Sequence, residues 1–285
     1  MSDEKINIDF LVSKINSFPT LPTIYYKISE VIDNPHSTAN DVADVICQDQ
    51  ASASKVLRAA NSPIYGFYGR IQNITQAISY IGFEEVKNLV IAMTIMDFFN
   101  KRFDNKYFNP VAFWQHSIGV GIMTRLIGKA IHAKDLESYF LTGIMHDLGK
   151  LLFLNTIPEE YNRVLKYSLE NKTSFSDAET KIIGISHAVA GELLAEKWNL
   201  PPAIKYTIRY HNTGIVDNSY SEVVAATHVA NIAGAMYGYG YSEDVIVEEP
   251  NKLAWEVLKL NDNFFTSSVE LMTKSYHEST NLLLR

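Results

Sequence analysis

Five histidines stand where this chain could do chemistry: His116, His146, His187, His211 and His228. The sharpest surroundings are those of GIMHDLGK, residues 143–150, where His146 is followed directly by Asp147 and then by Lys150. An aspartate in so apolar a helical context is rarely buried unless it is paired or holds a metal. Imidazole and carboxylate together are also what a divalent transition metal takes, nitrogen for affinity and a charged oxygen to offset its charge. By itself the dipeptide reads better as a helix-end aspartate beside a hydrogen-bonded core histidine; its company is what shifts that reading. His116 lies in FWQHSIGVG, His187 in ISHAVAGELL and His211 in IRYHN. His228 precedes Asn231 by three residues and shares a helical face with it, where a satisfied core hydrogen bond is the simpler role. His36, His132 and His277 lie in polar contexts and read as solvated.

These side chains have to be positioned by helices. Ile24, Ile28, Val31 and Ile32 recur at helical spacing until Pro35. Thr38 with Asp41 predicts a capping box for a helix carrying Val42, Val45 and Ile46. A helix with Val56, Leu57 and Ala60 stops at Asn61-Ser62-Pro63, a corner explained by turn chemistry alone. Asn73 caps a helix that ends at Gly82, and the pattern resumes over 84–99. Later helices are expected at 111–133, 136–155, 159–171, 175–198, 201–211 and 221–237, with two more beyond. Gly191, four residues after His187, permits close helix packing, and Trp198 is a core residue. Tyr65, Phe67 and Tyr68 form an aromatic loop that serves either packing or partner contact. Strand runs bounded by hairpin turns are absent, so the fold class is all-α. The polar, aromatic stretch 102–110 is the best boundary. It divides the chain into a leading segment 1–17, helical subdomains 18–110 and 111–240, and a helical extension 241–285.

Composition excludes several classes. Of 285 residues, 47% are hydrophobic and 20% charged, enough for a packed core and against global disorder. The longest clear apolar run, residues 88–96, is far short of a membrane span. The opening MSDEKINIDF lacks the cationic-then-apolar order of a secretory signal, and Cys47 is the only cysteine. A reducing cytoplasm with no membrane attachment is the expectation. A net charge of −7 and no visible lysine or arginine cluster disfavour nucleic acid as a partner. A helix-turn-helix reading rests only on the short consecutive helices of the first half.

The histidine motifs resemble the HD superfamily of metal-dependent phosphohydrolases. That resemblance implies a metal held by His116, His146 and Asp147, extended by His187 and His211, with Lys150 matching the family's lysine. Two positions depart from the active pattern: Asn231 stands where a late aspartate would fall, and Asn212 where a second histidine would follow His211. A neutral amide is a weak ligand, so metal affinity falls and a two-metal site is disfavoured. The first half narrows the resemblance. FPTLPTI, then VICQDQASASKVLRAANSPIYG, then RIQNITQAISYIGFEEVKNLVIA is similar to the start of HDOD domains, the HD-related output domains. Asp49-Gln50 replaces the usual Asp-Pro. The resemblance spans residues 18–235 and implies an HD-like helical bundle with an N-terminal helical subdomain. It also implies a bacterial signalling module that works through a regulatory protein partner rather than by catalysis. One divalent metal (iron, manganese, zinc or nickel) is the implied cofactor. The alternative is a phosphohydrolase acting on a nucleotide or cyclic dinucleotide, with Asp147 and Lys150 as its catalytic residues.

Overall fold

Local capping chemistry sets where the helices begin and end in the computed structural model, which describes residues 8–65, 70–100, 108–240, 247–261 and 263–284. The first helices are α1 (Ile8–Ser17), α2 (Thr23–Asp33), α3 (Ala39–Cys47), α4 (Gln50–Ala60), α5 (Ile74–Ile81) and α6 (Phe83–Asn100). Thr38 Oγ1 accepts from the Asp41 amide while Asp41 Oδ2 accepts from the Thr38 amide, the expected capping box. Asn73 Oδ1 accepts from the Gln76 amide at 2.8 Å, and Gly82, at φ +93°, closes α5. Asn61 explains its own corner: its side chain reaches the Leu57 carbonyl and exchanges two hydrogen bonds with the backbone of Ile71.

Next come α7 (Pro110–Ala130), α8 (Leu136–Met145), α9 (Leu148–Thr156), α10 (Pro158–Asn171), α11 (Phe175–Ile182) and α12 (His187–Lys197). The chain ends with α13 (Pro202–Tyr210), α14 (Ser221–Met236), α15 (Lys252–Leu258) and α16 (Phe264–Leu283). No strand occurs among the described residues, and the fold is an all-α helical bundle.

Two expected helices are each two helices. The 136–155 segment breaks at His146-Asp147, where His146 Nδ1 donates to the Gly143 carbonyl at 2.7 Å. A ring that bonds its own helix end leaves the following residues free to turn. The 175–198 segment breaks at Gly184, whose φ of +104° ends α11. Hydrophobic periodicity runs through both breaks because both flanking helices bury the same kind of face. Phe67, Tyr68 and most of the 102–110 boundary lie outside the described residues, and Tyr65 ends a short 3-10 turn.

By packing, the chain forms two compact units: residues 1–20 with 102–260, and residues 21–101 with 261–285. Punctuation and packing thus divide the chain by different criteria. The second unit has an apolar core built from Ile28, Val42, Ile46, Val56, Ile74 and Val86. Its α16 packs on α4. In the first unit α7 packs on α8 and α14, and α9 packs on α12. Leu11, Ile15 and Phe18 bury the apolar face of α1. The Lys197 ammonium caps that helix, donating to the carbonyls of Ile15 (3.0 Å), Asn16 and Phe18. Trp198 is fully buried, as expected of a core residue, and its indole N–H donates to Pro19.

Candidate functional site

Glycines set the helix spacing that brings the histidines together. A side-chain carbon at Gly143 would overlap Gly121, so α8 crosses α7 with backbones nearly touching. One at Gly149 would overlap the His187 carbonyl, which fixes α9 against α12 with Gly191 on the facing side. His116 on α7, His146 at the end of α8, Asp147 at the start of α9, His187 at the start of α12 and His211 just past α13 are all buried. Two groups of side chains converge closely enough to hold a metal ion: His116, His146 and Asp147, and Asp147, His187 and His211.

The hydrogen bonds orient every ring the same way. Nδ1 of His146 faces the Gly143 carbonyl at 2.7 Å, and Nδ1 of His211 faces that of Ile208 at 2.9 Å. Nδ1 of His116 faces the Tyr239 carbonyl at 3.2 Å. Nδ1 of His187 faces Glu179 Oε2 at 2.7 Å, and that same oxygen accepts from the His187 backbone amide. A nitrogen that faces an oxygen can carry the proton, so with Nδ1 protonated the Nε2 of His146, His187 and His211 presents a lone pair inward, whereas both nitrogens of His116 face oxygens. This is the arrangement that orients metal-binding histidines.

The inward atoms are therefore acceptors crowded on acceptors. His187 Nε2 lies 3.2 Å from His211 Nε2 and 3.3 Å from Asp147 Oδ1, and His211 Nε2 lies 3.5 Å from that oxygen. Among the described residues, neither His146 Nε2 nor Asp147 Oδ1 has a hydrogen-bond partner. Lone pairs at such distances require positive charge between them, either a proton or a metal. The donor set thus fits one divalent transition metal at Asp147, His187 and His211, with His146 adjoining.

Electrostatics favour the neutral ring at His116 and His211 and the protonated ring at His187. Burial first, and then the neighbouring His146, lower the His116 pKa to about 4. Burial lowers that of His211 to about 3, against the pull of Asp147. Burial works against charge on His187, but Glu179 outweighs it and raises the pKa. Burial opposes ionisation of Asp147, yet His146 and Lys150 hold its pKa well below the usual range. Lys150 Nζ lies 2.9 Å from Asp147 Oδ2.

The two departing positions contact this cluster. Asn231 lies 2.9 Å from His116 Nε2, and Asn212 Nδ2 lies 3.3 Å from His187 Nε2. The atom of Asn231 that faces His116 Nε2 is Oδ1, an acceptor, so Nε2 donates to it when that nitrogen carries the ring proton. Asn231 thereby occupies the nitrogen that His116 would offer a metal. His228 serves the core: its Nδ1 faces the His211 carbonyl at 2.7 Å and its Nε2 accepts from the Asn251 amide at 3.0 Å. A cavity of about 240 Å³ reaches His187, His211, Asn212 and Asn231, with Asp177 and Glu248 also lining it.

Glu179 escaped the sequence reading. It is fully buried on α11, one helical turn from Phe175 and beside Ala178. A glutamate on the apolar stripe of a helix was its signal.

The model of the HDOD domain family matches residues 18–213. An uncharacterised protein of Treponema pallidum (strain Nichols) is 25% identical over 225 residues. That match covers 78% of this chain and 43% of that protein, so the chain spans less than half of that relative's length. An HDOD domain protein of unknown function from Geobacter sulfurreducens superposes with a TM-score of 0.81 at 23% identity, over 98% of this chain and 100% of that one. A candidate phosphohydrolase of Shewanella amazonensis SB2B gives 0.75 at 22%, over 96% and 98%. A candidate signal transduction protein of Marinobacter aquaeolei VT8 gives 0.77 at 19%, over 98% and 66%. At these identities the likeness is one of fold. The family match over most of the chain, together with the buried histidine–aspartate cluster, makes this chain a member of the HDOD domain family.

Proposed function

We propose that this chain is a regulatory module that acts by binding a protein partner, and that its HD-type site holds one divalent transition metal without running hydrolysis. The observation that carries this reading is Asn231 on the metal-facing nitrogen of His116. A carboxylate there would add negative charge and a strong donor; the amide adds neither and takes His116 out of the ligand set. Asp147, His187 and His211 remain to hold a single ion, with Glu179 and the Ile208 carbonyl fixing the two rings. Iron, manganese, zinc and nickel suit that nitrogen-and-carboxylate set. An ion held there would tie Asp147 at the start of α9 to His187 at the start of α12 and His211 just past α13, and so would shape the surface those helices present.

The second reading, a phosphohydrolase for a nucleotide or cyclic dinucleotide, draws on the buried Asp147–Lys150 pair next to His187 and His211, which line an opening to the surface. A metal there would supply Lewis-acid polarisation of a phosphoryl oxygen, and Lys150 positive charge nearby. The cavity of about 240 Å³ is small for such ligands, since small-molecule sites run to about 300–1,000 Å³.

Elemental analysis of protein purified without chelator or affinity metal, with phosphodiesterase and nucleotidase assays in manganese or iron, tests both readings. The expected result is about one metal per chain, lost in Asp147→Ala, with no turnover. Phosphoester cleavage that disappears in Asp147→Ala overturns the non-catalytic reading.

A further inference from the structure

The second unit holds a cavity of its own, of about 500 Å³, within the size range of small-molecule sites. One wall is a single face of α4: Ser54, Leu57, Arg58 and Asn61 follow at three- and four-residue spacing. That face lies apart from Val56, Ala59 and Ala60, which are buried in the core. The segment entering α5 adds Arg70, Ile71 and Gln72 to the lining, and α16 adds Leu282. The walls are braced. Asn61 holds Ile71 by two backbone hydrogen bonds, and the Gln72 amide donates to Gln76 Oε1.

The charge of this cavity runs against that of the chain. The protein carries −7, yet two guanidinium groups line the cavity and, among the described residues, no carboxylate does. Neither arginine makes an ion pair among the described residues, and Arg58 Nε is buried with no hydrogen-bond partner. A buried guanidinium nitrogen left without an acceptor is costly unless something supplies one. Two planar, forked donors lining one cavity suit a phosphate group, and Leu57 and Leu282 offer apolar surface to what the phosphate is attached to.

We propose that this cavity binds a small organic phosphate, the phosphate between Arg58 and Arg70 and the organic part against Leu57 and Leu282. Nothing in the proposal depends on the histidine cluster. The test titrates the full chain, in chelator, with adenosine monophosphate, with inorganic phosphate and with adenosine, followed by calorimetry. Saturable 1:1 binding of the monophosphate is expected, at least about tenfold tighter than inorganic phosphate and absent for adenosine. Arg58→Gln and the more exposed Arg70→Gln should each weaken it about tenfold or more, while Asp147→Ala leaves it unchanged. Arg70→Gln keeps the test decisive if Arg58→Gln fails to fold. No saturable binding, equal binding of adenosine, or loss in Asp147→Ala with retention in Arg70→Gln overturns the proposal.

Discussion

At the scale of single residues, the site is defined by which nitrogen of each histidine is occupied. Asn231 and Glu179 show two opposite uses of that principle. Glu179 holds Nδ1 of His187 and so turns Nε2 toward Asp147. Truncating it with Glu179→Ala should weaken metal binding about 10- to 100-fold, and Glu179→Gln, which keeps an acceptor, should weaken it less. Competition with a chelating dye measures this; equal affinities in all three proteins would remove Glu179 from the orienting role. Asn231 takes the inward nitrogen of His116 instead. Asn231→Asp restores a charged donor beside His116 and His146. It should raise metal affinity or stoichiometry, read by elemental analysis after dialysis. Unchanged content would mean that residue 231 does not limit the site.

At the scale of elements, glycine pairs place the helices and histidines end them. The Gly149–Gly191 crossing lets α9 approach α12 until Asp147 Oδ1 sits 3.3 Å from His187 Nε2. Gly149→Ala has no room for its methyl against the His187 backbone and has to push the helices apart. A loss of about 1–3 kcal/mol in urea unfolding is expected, together with reduced metal content in protein that is still folded. A variant as stable and as metal-rich as the wild type would contradict the crossing. Trp198→Ala removes a fully buried indole and its bond to Pro19. It should cost about 3–5 kcal/mol by the same measurement.

At the scale of the whole molecule, burying several titratable groups together ties stability to pH. His116 and His211 have folded-state pKa values of about 4 and 3, below the ~6.5 of an unfolded chain. The unfolded state therefore takes up protons first as pH falls. Their stabilising contribution is complete above about pH 6.5 and is lost as pH drops from there toward 4. His187, whose pKa is raised, works in the opposite sense, while His228, lowered by burial, works in the same sense as the first two. The urea midpoint of chelator-treated protein should fall between pH 7 and pH 4.5, whereas a rising midpoint would show that His187 dominates. No described helix is long and apolar enough to cross a membrane.

The sequence by itself determined the helical class, most helix ends and the identity of the converging histidines. Those properties rest on short-range chemistry: a side chain that reaches its own backbone, as at Thr38 and Asn73, or a residue type suited to a metal. The breaks at His146-Asp147 and Gly184 escaped it because apolar periodicity continues across them. Glu179 escaped it because its meaning comes from His187, eight residues on and across a helix break. The pairing of Arg58 with Arg70 was likewise hidden, since twelve residues of sequence separate two arginines that one cavity unites. Only the tertiary structure decided which ring nitrogens face inward, because that depends on carbonyls and amides delivered by other helices.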